Sequence, residues 1–165
     1  MNLEFGGGEK GKLGFTQVDI RKINDDTIVC NAWEIKKYIK NNSIDNIYSR
    51  HFIEHLTTSQ MQKTLNAWYE ICKKGANITI ICPNMDAHIS QWLNWGKLSA
   101  GEKRHCRAGF WGWQREADKS SWDIHKSGYN YNILKELLEQ HKFINVKNLG
   151  EPSIKNFHLK VSCNK

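Results

Sequence analysis

The chain has 165 residues, 39% of them apolar and 25% charged, enough for one domain with a real core and too few for two ordinary ones. Lys and Arg outnumber Asp and Glu by 24 to 17, a net charge of +7 that favours anionic partners and equally fits a lysine-rich soluble surface. No basic block of five residues singles out nucleic acid, and no apolar run approaches the roughly 18 residues of a membrane span. The N-terminus lacks the basic-then-apolar order of a secretory signal. Five scattered cysteines, Cys30, Cys72, Cys82, Cys106 and Cys163, form no C-x-x-C pair. They read as reduced, mostly buried thiols of a cytoplasmic protein without a zinc–thiolate centre.

Residues 2–5 make a short apolar strand, followed by Gly6-Gly7-Gly8. A second strand over 15–19 ends on Asp19. Glycines after a strand let the backbone turn sharply and approach a ligand, because no Cβ intervenes. An acid closing the next strand can accept hydrogen bonds from a ribose hydroxyl pair. Only residues 9–14, with Gly11 and Gly14, separate the loop from the second strand. A parallel crossover needs about a dozen residues, so the first helix is expected to be missing or reduced to a turn. A third strand is expected over 27–30, a helix over 34–40 and a fourth strand over 44–49. His51 to His55 reads as a loop or short helix. Thr57 or Thr58 can cap a long helix over 59–74, with Met61, Leu65, Trp68 and Ile71 or Cys72 on one face and Gly75 as C-cap. The fifth strand, 77–82, is nearly all apolar and therefore central.

Residues 86–98 carry a helical pattern. Residues 99–128 show no clear period and read as an irregular insert within a single domain spanning 1–165. Five of the seven tryptophans lie between Trp92 and Trp122, interleaved with Lys97, Lys103, Arg104, Arg107, Arg115 and Lys119. That mixture suits sugars or bases carrying phosphate, and equally a satellite core or an oligomer contact. An amphipathic helix over 130–141 precedes two strands, 143–149 and 157–163, joined through Gly150 and Pro152 as an antiparallel pair. Strands alternating with helices and closing on a hairpin predict an α/β sheet with helices on both faces.

At this point the chain resembles a class I S-adenosylmethionine-dependent methyltransferase. The resemblance is carried by Leu3-Glu4-Phe5-Gly6-Gly7-Gly8, Val18-Asp19-Ile20, Cys30-Asn31-Ala32-Trp33 and the stretch from Ile44 to His55. That last stretch is similar to the D-x-I-x-x-x-H-x-x-E-H segment of a subgroup often found among surface-glycan biosynthesis genes. Trp111-Gly112-Trp113, His125-Lys126-Ser127-Gly128-Tyr129 and Lys142-Phe143-Ile144-Asn145-Val146 resemble that subgroup's ending. The resemblance implies a Rossmann-like sheet, mostly parallel with a C-terminal antiparallel hairpin and a shortened first helix.

It also implies roles. Gly6, Gly7 and Gly8 would wrap the methionine part of S-adenosylmethionine, with Glu4 orienting the loop or the ammonium through water. Asp19, followed by Ile20, would hold the ribose. Asn31, where many members have Asp, would face the adenine amino group beside Ala32. Ser49, Arg50 and His51 would border cofactor and acceptor. The helix that usually precedes the first strand has no counterpart here, which leaves one side of the cofactor for the insert or a partner subunit, as in a homo-oligomer, to cover. Methyl transfer needs alignment and, for a hydroxyl acceptor, a base; His51 and His125 are the candidates. The expected product is a methylated oxygen on a small or glycan-type acceptor.

Three other readings use the same residues. The first is a non-catalytic or partner-activated S-adenosylmethionine-binding protein. The second is a nucleic-acid methyltransferase, disfavoured because no separate binding domain is seen and no Asn-Pro-Pro-aromatic string, the mark of amino methylation, follows the fourth strand; Cys82-Pro83-Asn84-Met85 follows the fifth instead. The third is a zinc hydrolase using His51, Glu54 and His55, an H-x-x-E-H string that requires one helix bearing all three residues and a third ligand downstream. The favoured reading has no metal.

Overall fold

The computed structural model describes residues 1–115, 121–150 and 157–165. The intervening 116–120, with Lys119, and 151–156, with Pro152, lie outside the described residues. Five strands run parallel: β1 (Asn2–Phe5), β2 (Thr16–Asp19), β3 (Ile28–Val29), β4 (Ile44–Arg50) and β5 (Cys72–Pro83). The helices are α1 (Thr58–Ile71), α2 (Met85–Leu93), α3 (Ala100–Trp111) and α4 (Tyr131–Gln140). Strands β6 (Ile144–Asn148) and β7 (His158–Asn164) close the chain. The sheet order is β3-β2-β1-β4-β5-β7-β6, with β7 antiparallel to both neighbours. This is the expected Rossmann-like sheet with its antiparallel C-terminal hairpin. Strand order reverses between β1 and β4, and ligands of such sheets bind outside the strand ends at that switch.

The core strands pack through aligned apolar residues, Ile44 and Ile47 of β4 and Ile78, Ile80 and Cys82 of β5 being buried. Leu3 aligns with Ile47 and Ile47 with Ile78, and all three are fully or almost fully buried. Helix α1 starts on a capping box in which the Thr57 hydroxyl accepts from the Gln60 amide and Gln60 returns a bond to the Thr57 amide. Its buried face carries Met61, Leu65, Trp68 and Ile71, and the Trp68 ring packs 4.9 Å from Phe5. The first crossover helix is indeed reduced to a turn of 3-10 helix, Gly8–Lys10.

Four expectations need correction. Gly75 does not cap α1: the helix ends at Ile71 and runs straight into β5. Gly75 instead adopts φ +80 in a bulge, where the pairing of β4 with β5 jumps from Cys72 to Asn77, and its amide donates to the Lys165 carbonyl. Residues 32–37 form a 3-10 helix rather than an α-helix over 34–40. Asn31 bonds the Glu34 side chain and so does not cap the backbone there. The helical pattern over 86–98 is broken: α2 stops at Leu93, and Trp95–Lys97 form a separate 3-10 turn. Finally, α3 occupies much of the stretch expected to be irregular. Ser99 and Glu102 start it with a second capping box, but its buried face is made of Cys106, Ala108 and Gly109, too small to show as an apolar period. No helix among the described residues is long and apolar enough to cross a membrane.

Candidate active site

A cavity of about 300 Å³ opens where β1, β2, β3 and β4 end. Gly6 turns the chain there at φ +75, and a Cβ on it would lie 2.7 Å from Cβ of Phe52. Only glycine lets the loop pass so close to the Phe52 side chain. Gly7 and Glu4 do not line this cavity but a neighbouring concavity, with Lys12 and Arg50, that shares Gly6 and His51 with it. The Glu4 carboxylate, nearly fully buried, accepts from the Lys12 amide and so braces the loop from behind. Gln17 adds a second brace, donating to the Gly8 carbonyl at 2.7 Å. Gly8 itself, at φ +57 with open space around it, sets the turn into the 3-10 segment.

Asp19 lies at the cavity, at the tip of β2. Its carboxylate accepts from the Arg21 amide at 2.9 Å and from Arg21 Nε at 3.2 Å. The Arg21 guanidinium stacks 4.9 Å from the Trp122 ring, so an end of β2 is tied to the segment ahead of α4. Asn31 donates through Nδ2 to Glu34 Oε2 at 2.8 Å, and its Oδ1 has no partner among the described residues. Lys37, and after it Asn31, hold the half-buried Glu34 carboxyl below its ordinary pKa. Cys30, also on the wall, is pushed up to about 11 by burial and by Glu34, so it stays a thiol. Ile20, Ala32, Trp33 and Phe52 supply much of the apolar lining.

A second cavity of about 350 Å³ adjoins the first and shares His51, His55 and Trp122 with it. Six of the seven histidines line it: His51, His55, His88, His105, His125 and His158. His51 sits just past β4 at φ +49, an uncommon conformation held by its amide bond to the Ile81 carbonyl at 2.8 Å. Its Nδ1 is 3.1 Å from Glu54 Oε1 and its ring meets His158 edge to face. His55 Nδ1 faces the Ile124 carbonyl at 3.2 Å, and His125 Nδ1 the Gly109 carbonyl at 3.0 Å. Burial lowers the pKa of His55, His105 and His158 and takes His88 down to about 4, with His105 adding to the effect on His88. Asp123 is pushed up by burial, but its bonds to Arg115 outweigh this and leave it below its ordinary value.

Two glycines make room for this wall. A Cβ on Gly109 would lie 2.3 Å from His88 Nδ1, and one on Gly112, at φ +77, would lie 2.0 Å from the Asp123 carbonyl. The wall is then stitched to the turn after β4. Lys126 and Ser127 amides donate to the Glu54 carbonyl at 2.8 and 3.1 Å, and the Ser127 hydroxyl lies 3.1 Å from the Leu56 carbonyl.

Of the residues singled out from sequence, Gly6, Asp19, Ile20, Asn31, Ala32 and His51 meet at the first cavity. His125 lines the second. Ser49 lines neither: it shares a sheet face with its register partners Phe5 and Ile80 and is fully buried there, its hydroxyl without a partner among the described residues. Arg50 turns to the concavity behind the loop. The H-x-x-E-H string is not helical as a unit, since His51 is a left-handed residue after a strand and only Ile53–His55 form a 3-10 turn. The zinc-peptidase arrangement is therefore not built. Sequence reasoning missed Cys30, Phe52 and Trp122, and it missed His88, His105 and His158, whose one signal was the number of histidines in the second half of the chain.

No protein-family model and no curated protein sequence matches the chain. Solved structures do. A SAM-dependent methyltransferase from Archaeoglobus fulgidus superposes over 99% of this chain and 85% of its own, with a TM-score of 0.65 at 16% identity. The chain has the fold of SAM-dependent methyltransferases. A methyltransferase from Thermotoga maritima, described as a possible histamine N-methyltransferase, gives a TM-score of 0.64 at 13% identity, covering 99% and 81%. The 1,6-didemethyltoxoflavin-N1-methyltransferase of Burkholderia thailandensis, solved with 1,6-didemethyltoxoflavin and S-adenosylhomocysteine bound, gives 0.59 at 13% identity, covering 99% and 70%. At such identities the likeness speaks for the methyltransferase fold alone.

Proposed function

We propose that the chain binds S-adenosylmethionine in the cavity at the strand ends. We further propose that it methylates an oxygen of a small or glycan-type acceptor held in the histidine-lined cavity. The observation that carries this reading is the pair of adjoining cavities with His51 on their shared wall. The first cavity suits the cofactor on its own features. Gly6 turns the loop at φ +75 tightly against Phe52 on the cavity wall, the Asn31 side-chain oxygen, without a partner among the described residues, can face an adenine amino group, and Asp19 offers carboxylate oxygens to ribose hydroxyls. Arg21 occupies those oxygens here, so the ribose would take them over from it.

Bound S-adenosylmethionine supplies a methyl on a sulfonium; the acceptor oxygen takes the methyl and the carbon–sulfur electron pair stays on sulfur. His51 then has one task. Its Nδ1–H donates to Glu54, which fixes the tautomer and leaves Nε2 to take the acceptor's hydroxyl proton. Glu54, almost wholly buried, steadies the imidazolium that results. The basic and aromatic residues around the second cavity, with Arg115 and Trp122 on its wall, suit an acceptor that carries negative charge. Calorimetry with S-adenosylhomocysteine tests the reading: a folded sample binds it, and Asp19→Ala loses affinity by at least about 100-fold as two charged hydrogen bonds disappear. A folded wild-type sample that binds none removes the methyltransferase reading.

A further inference from the structure

We propose that Glu54, His55 and His125 together hold one divalent transition-metal ion, of the zinc kind, in the wall of the histidine-lined cavity. One donor atom from each of the three falls within 4.8 Å of the other two. Ligand atoms sit about 2.0–2.2 Å from a zinc ion, so the three must draw together by about an ångström, within the reach of small side-chain rotations. The three residues come from two segments, the turn after β4 and the stretch before α4, which the Lys126 and Ser127 amides fasten to each other. That fastening predisposes the set without requiring the metal to build it.

Each group is prepared for a cation. Both imidazoles have Nδ1 against a backbone carbonyl, Ile124 for His55 and Gly109 for His125. A carbonyl can only accept, so Nδ1 carries the proton and Nε2 keeps its lone pair, the tautomer that metal-binding histidines take when their other nitrogen is so held. Glu54 is 1% exposed, and His51 satisfies only its Oε1. Its Oε2 is buried with no partner among the described residues. A buried carboxylate oxygen left unpaired is costly, and a cation beside two neutral imidazoles removes that cost. Asp123 does not complete the set, because Arg115 already holds both its oxygens. Two imidazoles and one carboxylate suit zinc and its neighbours rather than magnesium or calcium, which prefer all-oxygen shells. Three protein ligands leave a position open for a hydroxyl, whose proton the ion would loosen for His51. This last role rests on the methyl-transfer reading; the binding of the ion does not.

The test is zinc content and affinity of the chelator-stripped chain, by equilibrium dialysis with zinc alone, with cobalt substitution read from visible absorption. One zinc per chain is expected. His125→Ala and Glu54→Gln should each weaken it by about tenfold or more. His105→Ala, in the same cavity but outside the triad, should leave it unchanged. Because Glu54 is buried, folding of each variant is checked by circular dichroism, and His125→Ala, at a half-buried site, decides the matter if Glu54→Gln does not fold. A folded wild type that takes up no zinc overturns the proposal. So does a His105→Ala loss equal to that of His125→Ala, which would move the ion to other histidines. S-adenosylhomocysteine binding measured on the same stripped samples separates failure of this site from failure of the cofactor reading.

Discussion

The two cavities are built in different ways. The first is made mostly by strand ends and the turns attached to them: Gly6 after β1, Asp19 at the end of β2, Asn31 after β3 and His51 after β4. Some of its wall residues are placed by a neighbour a few positions away, as Asn31 is by Glu34 and Asp19 by Arg21, while Trp122 and Lys126 reach it from the segment before α4. The second is assembled from distant segments. His88 comes from α2, His105 and Gly109 from α3, His125 from the stretch before α4 and His158 from β7. A site of the first kind depends on local turn chemistry, whereas a site of the second kind depends on tertiary packing, and the two should fail under different insults.

The largest separation is expected at His51, which belongs to both. His51→Ala should lower the methyl-transfer rate by about 10²–10⁴-fold while changing S-adenosylhomocysteine affinity far less. Equal losses in both measurements would make His51 a wall of the cofactor site only.

Acid should damage the second cavity first. His88 titrates at about 4 in the fold against an ordinary 6.5, because burial and the facing His105, His125 and His158 oppose its charge. The unfolded chain therefore takes up the proton first. Stability is complete above about pH 6.5 and falls as pH drops toward 4, by up to about 3 kcal/mol from this group. The lowered His55, His105 and His158 act in the same direction. Denaturant midpoints taken from pH 7 to 4 measure this, and a flat curve would contradict it.

The smallest test pairs two glycines. Gly6→Ala meets Phe52 and a positive φ, and Gly109→Ala meets His88; each should cost about 1–3 kcal/mol in thermal or chemical denaturation. Gly6→Ala should also weaken S-adenosylhomocysteine, and Gly109→Ala should not.

The same contrast explains what the sequence revealed. Strand existence, the shortened first crossover, the face of α1 and the antiparallel ending were legible because they follow from apolar runs, loop length and helical spacing. The placing of Gly6, Asp19 and Asn31 at strand ends around one cavity was legible because they stand at fixed offsets from strands. Ser49 lies off both cavities for a simple reason: strand residues alternate, and its turn in the alternation puts it on the buried face it shares with Phe5 and Ile80. Helix α3 hid because it buries a cysteine, an alanine and a glycine where a period of large apolar residues was sought. The histidines of the second cavity stood in plain view, but no local rule brings residues 51, 88, 105, 125 and 158 together.

The stitch between the Glu54 carbonyl and the Lys126 and Ser127 amides also sets a timescale. Those two amides can exchange their hydrogens for deuterium only when the turn after β4 and the segment before α4 part company. The floor under one cavity and the wall of the other therefore belong to one opening unit. Ligands occupying either should slow deuterium uptake at Lys126 and Ser127 together.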